Sequence, residues 1–160
     1  MRDADSARAR LDAVFETATS GAAATRALGR ALGARLAAGD VVLLEGGLGA
    51  GKTVFVQGLA EGLGLRGAVK SPTYTLVHEH HARAWPGARA DLAHLDLYRI
   101  RDPRELVSIG WDDLLSQKAL VIVEWPDRAP GLMPPGHVPI SLSHVADRPD
   151  HRVLYAGGHT

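Results

Sequence analysis

Glu45-Gly46-Gly47-Leu48-Gly49-Ala50-Gly51-Lys52-Thr53 follows the pattern GxxxxGK[ST], with Gly46 opening it and Gly51, Lys52 and Thr53 closing it. Upstream, Val41-Val42-Leu43-Leu44 is a short continuous apolar run, the composition of a strand buried on both faces of a parallel sheet. Downstream, Phe55, Leu59 and Leu63 recur at helical spacing, and Gly62 and Gly64 stand where a helix would stop. A phosphate-binding loop needs this strand–loop–helix setting, and a chance Gly-rich turn would lack it.

The residue types suit a triphosphate. Glycines at 46, 47, 49 and 51, with the small Ala50, let backbone N–H groups approach phosphate oxygens without Cβ collisions. The helix beginning near Lys52, Thr53 and Val54 offers free N–H groups and the positive end of its dipole. Lys52 would place a point charge near the β- and γ-phosphates, and the Thr53 hydroxyl would bind Mg²⁺. The chain has 15 Arg and three Lys, at 52, 70 and 118. It keeps Lys in this slot, where a compact ammonium is needed rather than a planar fork.

Working outward, the 160 residues fit one domain, with residues 1–12 and 157–160 reading as flexible ends. Hydrophobic content of 46% and charged content of 22% indicate a soluble globular chain. No apolar run is long enough to span a membrane, and the acidic N-terminus is not a secretory signal, so a cytoplasmic location is expected. With no cysteine there is no disulfide framework, and zero formal net charge argues against unaided nucleic-acid binding.

Val14 to Thr17 reads as a short edge strand, and Ser20 as the cap of a helix over Ala22 to Ala38, with Leu28, Leu32 and Leu36 on one face. That helix reads as scaffold; the alternative is that the loop leading into it touches a nucleotide base. Ser71-Pro72-Thr73-Tyr74-Thr75 is a turn with two Thr hydroxyls, either ordinary or a γ-phosphate sensor. His78-Glu79-His80-His81 lacks the helical zinc spacing. On a strand His78 and His80 would share a face, but no further ligand is evident. Residues 82–90 form a loop, and Asp102 and Pro103 open a short helix. Trp111 to Leu115 suggests another.

Leu92 to Asp96 and Ala119 to Val123 read as strands that deliver Asp96 and Glu124 at their C-terminal ends. In an open α/β sheet that is the ligand edge, where the P-loop also lies. A metal–triphosphate site needs such carboxylates to hold the metal and to orient water; the alternative for each is a surface acid. His137 to Val145 and His151 to Ala156, joined by a turn at 147–150, read as an antiparallel hairpin closing the sheet.

Taken together, Leu44 to Thr53, Ser71-Pro72-Thr73-Tyr74-Thr75-Leu76, His94-Leu95-Asp96-Leu97-Tyr98-Arg99 and Glu124-Trp125-Pro126 resemble the TsaE (YjeE) family. Those are bacterial P-loop ATPases needed to make threonylcarbamoyladenosine in tRNA. The resemblance runs from about Thr25 to Arg152. It implies a P-loop fold with a central, mostly parallel sheet flanked by helices. It also implies ATP and Mg²⁺ as ligands, TsaB and TsaD as partners, and tRNA met only through that complex. It assigns Thr53 and Glu124 to Mg²⁺, Asp96 to the Walker-B-like acid, Thr73 to a switch segment, and Trp125 to the nucleotide's neighbourhood. Two positions depart from the family pattern: Gly47 replaces a usual Asp, and Val54 replaces a frequent Thr.

These readings converge on a partner-dependent ATP hydrolase, with Lys52, Thr73, Asp96 and Glu124 carrying the chemistry. The competing readings are a small-molecule kinase, for which the loop at 82–89 offers only Arg83 and Arg89, and a nucleotide-gated binding module with negligible turnover. A GTPase is disfavoured, because the chain contains no Asn for a guanine-reading motif.

Overall fold

The computed structural model describes residues 15–65, 76–116 and 119–156, with side chains described between 18 and 148. Its strands are β1 (Phe15–Ser20), β2 (Val41–Glu45), β3 (Val77–His80), β4 (Asp91–Asp96), β5 (Ala119–Glu124), β6 (Val138–Val145) and β7 (Arg148–Ala156). Its helices are α1 (Gly21–Gly33), α2 (Lys52–Leu63), α3 (Arg104–Ser108) and α4 (Trp111–Ser116). All seven strands join one sheet in the order β1-β7-β6-β2-β5-β4-β3. The central four, β6-β2-β5-β4, run parallel, and antiparallel pairs finish both sides. This is the expected α/β architecture.

The apolar runs of the central strands divide by alternation between two cores. Val42 and Leu44 of β2, Leu92 of β4, and Leu120 and Ile122 of β5 face Phe55, Leu59 and Leu63 of α2 and Leu32 of α1. Leu43, Ala93, Leu95, Val121 and Val123 face the other way, onto Leu106 of α3 and Trp111 and Leu114 of α4. Trp111 is buried there because its indole N–H has a partner, the Leu132 carbonyl at 3.0 Å.

The two helices on the first face meet along a seam of glycines. A Cβ at Gly33 would stand 2.2 Å from the Leu59 carbonyl oxygen, and one at Gly58 would stand 2.1 Å from that of Arg26. Gly62, expected as a helix stop, instead belongs to this seam, with the Arg30 carbonyl 2.3 Å from where its Cβ would be. The stop is Gly64, in the left-handed region at φ 91°.

Helix α1 ends at Gly33 rather than Ala38. The Arg89 guanidinium accounts for this, donating to the carbonyls of Gly33 at 2.7 Å, Gly62 at 3.1 Å and Leu36 at 3.2 Å. Carbonyls at both helix ends are thus satisfied by one side chain. Leu36 stays fully buried in the following turn, which is why the leucine periodicity outlasts the helix. Ser20 sits at the N-cap position without a side-chain bond to the first turn. Pro103 holds the N-cap position of α3, and Asp102 just before it accepts from the Arg104 amide at 2.9 Å while Glu105 accepts from the Asp102 amide at 3.2 Å.

The C-terminal hairpin differs from expectation in two ways. Its turn is Ala146-Asp147, with Asp147 at φ 63°, and β7 begins at Arg148. Pro149, read as a turn residue, lies inside β7, where a register shift beside Val145 interrupts the ladder. Nor does the hairpin close the sheet. Its β6 lies beside the P-loop strand β2, and β1 pairs outside β7 as the edge.

Candidate functional site

Strand β2 ends at Glu45, and the chain then passes through three positive-φ glycines, Gly46 at 156°, Gly49 at 75° and Gly51 at 96°. L-residues with a Cβ avoid the last two conformations, so the loop's path is specified by glycine. Helix α2 begins directly at Lys52, and its first ladder bond runs from the Phe55 amide to the Gly51 carbonyl at 3.0 Å. The N–H groups of the first turn therefore point at the loop's hollow.

That hollow is a cavity of about 460 Å³. The loop supplies Leu48, Gly49, Ala50, Gly51, Lys52, Thr53 and Val54, and the sheet supplies Asp96, Glu124 and Trp125. The start of α1 supplies Gly21, Ala22 and Thr25. Asp96 and Glu124 are cross-strand neighbours in the β4–β5 register, so two strand ends place both carboxylates side by side. Gly46 and Gly47 belong to the same loop but not to the cavity lining. Thr73 and its Ser-Pro-Thr segment lie outside the described residues, as do the two chain ends read as flexible.

Lys52 Nζ donates to the Gly46 carbonyl at 2.6 Å and rests 3.9 Å from the centre of the Trp125 ring. Burial pushes its pKa below the ordinary lysine value, against the opposing pull of Glu124, Asp96 and Asp127. Burial likewise raises the Asp96 carboxyl, with Glu124 adding to the rise, while the Tyr98 amide, donating at 2.9 Å, works the other way. Trp125 adopts a left-handed backbone, φ 56° and ψ 51°, at the end of β5. For a bulky residue this conformation is strained, and such strain is concentrated at functional sites. Its ring meets that of Tyr98 at a tilt of 51°, with centroids 4.9 Å apart.

The residues fit a metal–triphosphate. Glu124 is 3% exposed and its Oε1 has no hydrogen-bond partner, a costly state for a buried carboxylate in the absence of a ligand. Among the described residues no group of three or more His, Cys, Asp or Glu is arranged to hold an ion. An ion here would draw instead on the Thr53 hydroxyl, the two acids and phosphate oxygens, the mixed shell that Mg²⁺ accepts. On β3, His78 and His80 meet edge to face at 6.3 Å.

The chain matches the family model "Threonylcarbamoyl adenosine biosynthesis protein TsaE" over residues 19–153. The chain belongs to the TsaE family. It is similar to the tRNA threonylcarbamoyladenosine biosynthesis protein TsaE of Haemophilus influenzae, 37% identical over 67% of this chain and 65% of that one. It is also similar to the proteins of that name from Treponema pallidum, 38% identical over 74% and 84%, and Bacillus subtilis, 36% identical over 77% and 73%. Among solved structures, Bacillus subtilis YdiB superposes with a TM-score of 0.74 at 28% identity, over 90% of this chain and 84% of that one. The match thus spans just under two thirds of the H. influenzae relative. The P-loop fold matches that of its structural neighbour. No helix among the described residues is long and apolar enough to cross a membrane.

Several site residues escaped sequence reasoning. The α1 wall of Gly21, Ala22 and Thr25 was legible only as an alternative, because which helix end flanks a P-loop depends on sheet order. Tyr98 gave no signal beyond its place in a motif. His94 carried one: it lies two residues before Asp96 on the same strand, hence on the same sheet face.

Proposed function

We propose that this TsaE-family chain is a Mg²⁺-dependent ATP hydrolase that supports TsaB and TsaD in forming N6-threonylcarbamoyladenosine in tRNA. The observation that carries this reading is one cavity lined by the P-loop, by Lys52 and Thr53, and by both strand-end acids. Loop amides and Lys52 bind the phosphates, Lys52 exchanging the Gly46 carbonyl for phosphate oxygens. Thr53, Asp96 and Glu124 would hold Mg²⁺, which neutralises charge on the β- and γ-phosphates when bound. Glu124 also orients the attacking water. Trp125, backed by the Tyr98 ring, walls the site, and the Thr73 hydroxyl senses the γ-phosphate.

The kinase reading loses support from one finding. Arg89, one of two arginines that could have served an acceptor lid, is committed to the carbonyls of Gly33, Leu36 and Gly62. The test is ATP binding and phosphate release for wild type, Lys52→Ala and Glu124→Gln. Lys52→Ala should weaken ATP binding ~10–100-fold, the range for losing a charge-assisted hydrogen bond. Glu124→Gln should keep ATP and lose turnover. Unchanged affinity in the first would refute the phosphate site. Unchanged turnover in the second would make Glu124 a bystander.

A further inference from the structure

Leu92, His94 and Asp96 alternate along β4 on the face that carries α1 and α2, and Leu120, Ile122 and Glu124 do so along the adjacent β5. Among these, His94 is the anomaly. It is 0% exposed, it sits in register beside Ile122, and neither ring nitrogen has a hydrogen-bond partner. An aliphatic residue would fill this position at less cost, since a buried polar group without a partner destabilises the fold. His78 is its cross-strand neighbour on β3, and on the β5 side an acid lies close. His94 Nε2 is 3.8 Å from Glu124 Oε1, which is also buried and unpartnered.

We propose that His94 is a positioning residue for Glu124: with nucleotide and Mg²⁺ in the site, its Nε2–H donates to Oε1 and turns Oε2 toward the cavity. This rests on the reading of Glu124 given above. The gap has to shorten by about 1 Å to reach hydrogen-bond length, and such contacts often tighten only in the loaded site. A carboxylate free to rotate offers either oxygen to the ion and the water. One held by a donor from behind presents a single oxygen in a fixed direction. Partners standing behind a metal-binding group in this way typically govern affinity or activity by ~10–100-fold. The role needs only the neutral ring in its Nε2–H form. On the Asp96 side the Tyr98 backbone amide is the donor, at 2.9 Å.

The test compares His94→Gln, whose amide nitrogen reaches the place of Nε2, with His94→Asn, whose amide falls short of it, and His94→Leu. The Gln variant should keep turnover within about threefold of wild type. The Asn and Leu variants should lose ~10–100-fold in kcat and need more Mg²⁺ for half-saturation, with Mg²⁺-free ATP affinity unchanged. Adding His94→Leu to Glu124→Gln should cost nothing further. Independently of turnover, ¹⁵N NMR of the wild-type protein with Mg²⁺ and a non-hydrolysable ATP analogue should show the Nε2–H form of His94, with that proton's signal moved or lost in Glu124→Gln. If the Leu and Asn variants match wild type while Glu124→Gln is inactive, or if His94 carries its proton on Nδ1, the positioning role is overturned and the reading of Glu124 stands. If Glu124→Gln turns over normally, both fall.

Discussion

Asp96 shows how a single side chain trades stability for a site. Its folded pKa lies above the ordinary value of 3.8, chiefly through burial. A raised carboxyl pKa means that the folded state holds its proton more tightly than the unfolded state. The contribution of Asp96 to stability is therefore most favourable below 3.8, falls as pH rises from there through the folded pKa, and stays reduced above it. Asp96→Asn removes the charge and keeps an acceptor for the Tyr98 amide. Its melting temperature should exceed wild type at pH 7 and match it near pH 3, measured by calorimetry without nucleotide, while Mg²⁺-dependent turnover is lost. A variant less stable than wild type at pH 7 would mean that the Lys52 attraction outweighs burial. Gly47 poses a smaller question, because nothing lies within 4 Å of where its Cβ would stand. The structure leaves room there for the Asp that the resemblance leads one to expect, so its absence is not imposed by packing.

The helix pair α1–α2 is the element most sensitive to a single added methyl. Gly58→Ala would put a Cβ 2.1 Å from the Arg26 carbonyl, backbone against backbone, and no side-chain rotation can relieve that. The cost should be at least ~1–3 kcal/mol by urea denaturation, against a helix-propensity gain of about 1 kcal/mol had the site been open. Across the same interface, Arg26 Nε donates to Glu61 Oε1 at 2.7 Å on the exposed rim, a contact of much smaller weight. The contrast explains what was legible in advance. Strands β2, β4 and β5 are fixed by apolar runs and a buried register, and sequence placed them to within a residue or so. The seam was not legible, since a glycine spaced every four residues along a helix reads as a weak or broken helix until its neighbour is known. The end of α1 depended on Arg89, a residue far along the chain, and the hairpin turn on a bulge that absorbs Pro149.

The site as a whole was legible because local signals at three places, the P-loop and the two acid-terminated strands, converge once parallel pairing is assumed. What one sequence could not supply was the third wall from α1 or the donor behind Glu124, since both arise from sheet order. No arginine lines the cavity among the described residues. Phosphate release should be slow for the isolated protein and should rise with TsaB and TsaD at matched salt; an arginine supplied in trans can be worth ~10³–10⁵ in P-loop enzymes, and ordering of a loop far less. Equal rates would indicate a self-sufficient hydrolase. The glycine seam bears on the same assembly through mechanics. With backbones this close at the glycines, sliding of α1 past α2 is opposed, so a ligand that grips the first turn of α2 should also load the Gly21–Thr25 wall. The two helices should open to solvent as one body: their amide protons should exchange with deuterium at a common rate, and Mg–nucleotide should slow both sets together. Protection confined to α2 would show a joint where the structure has a weld.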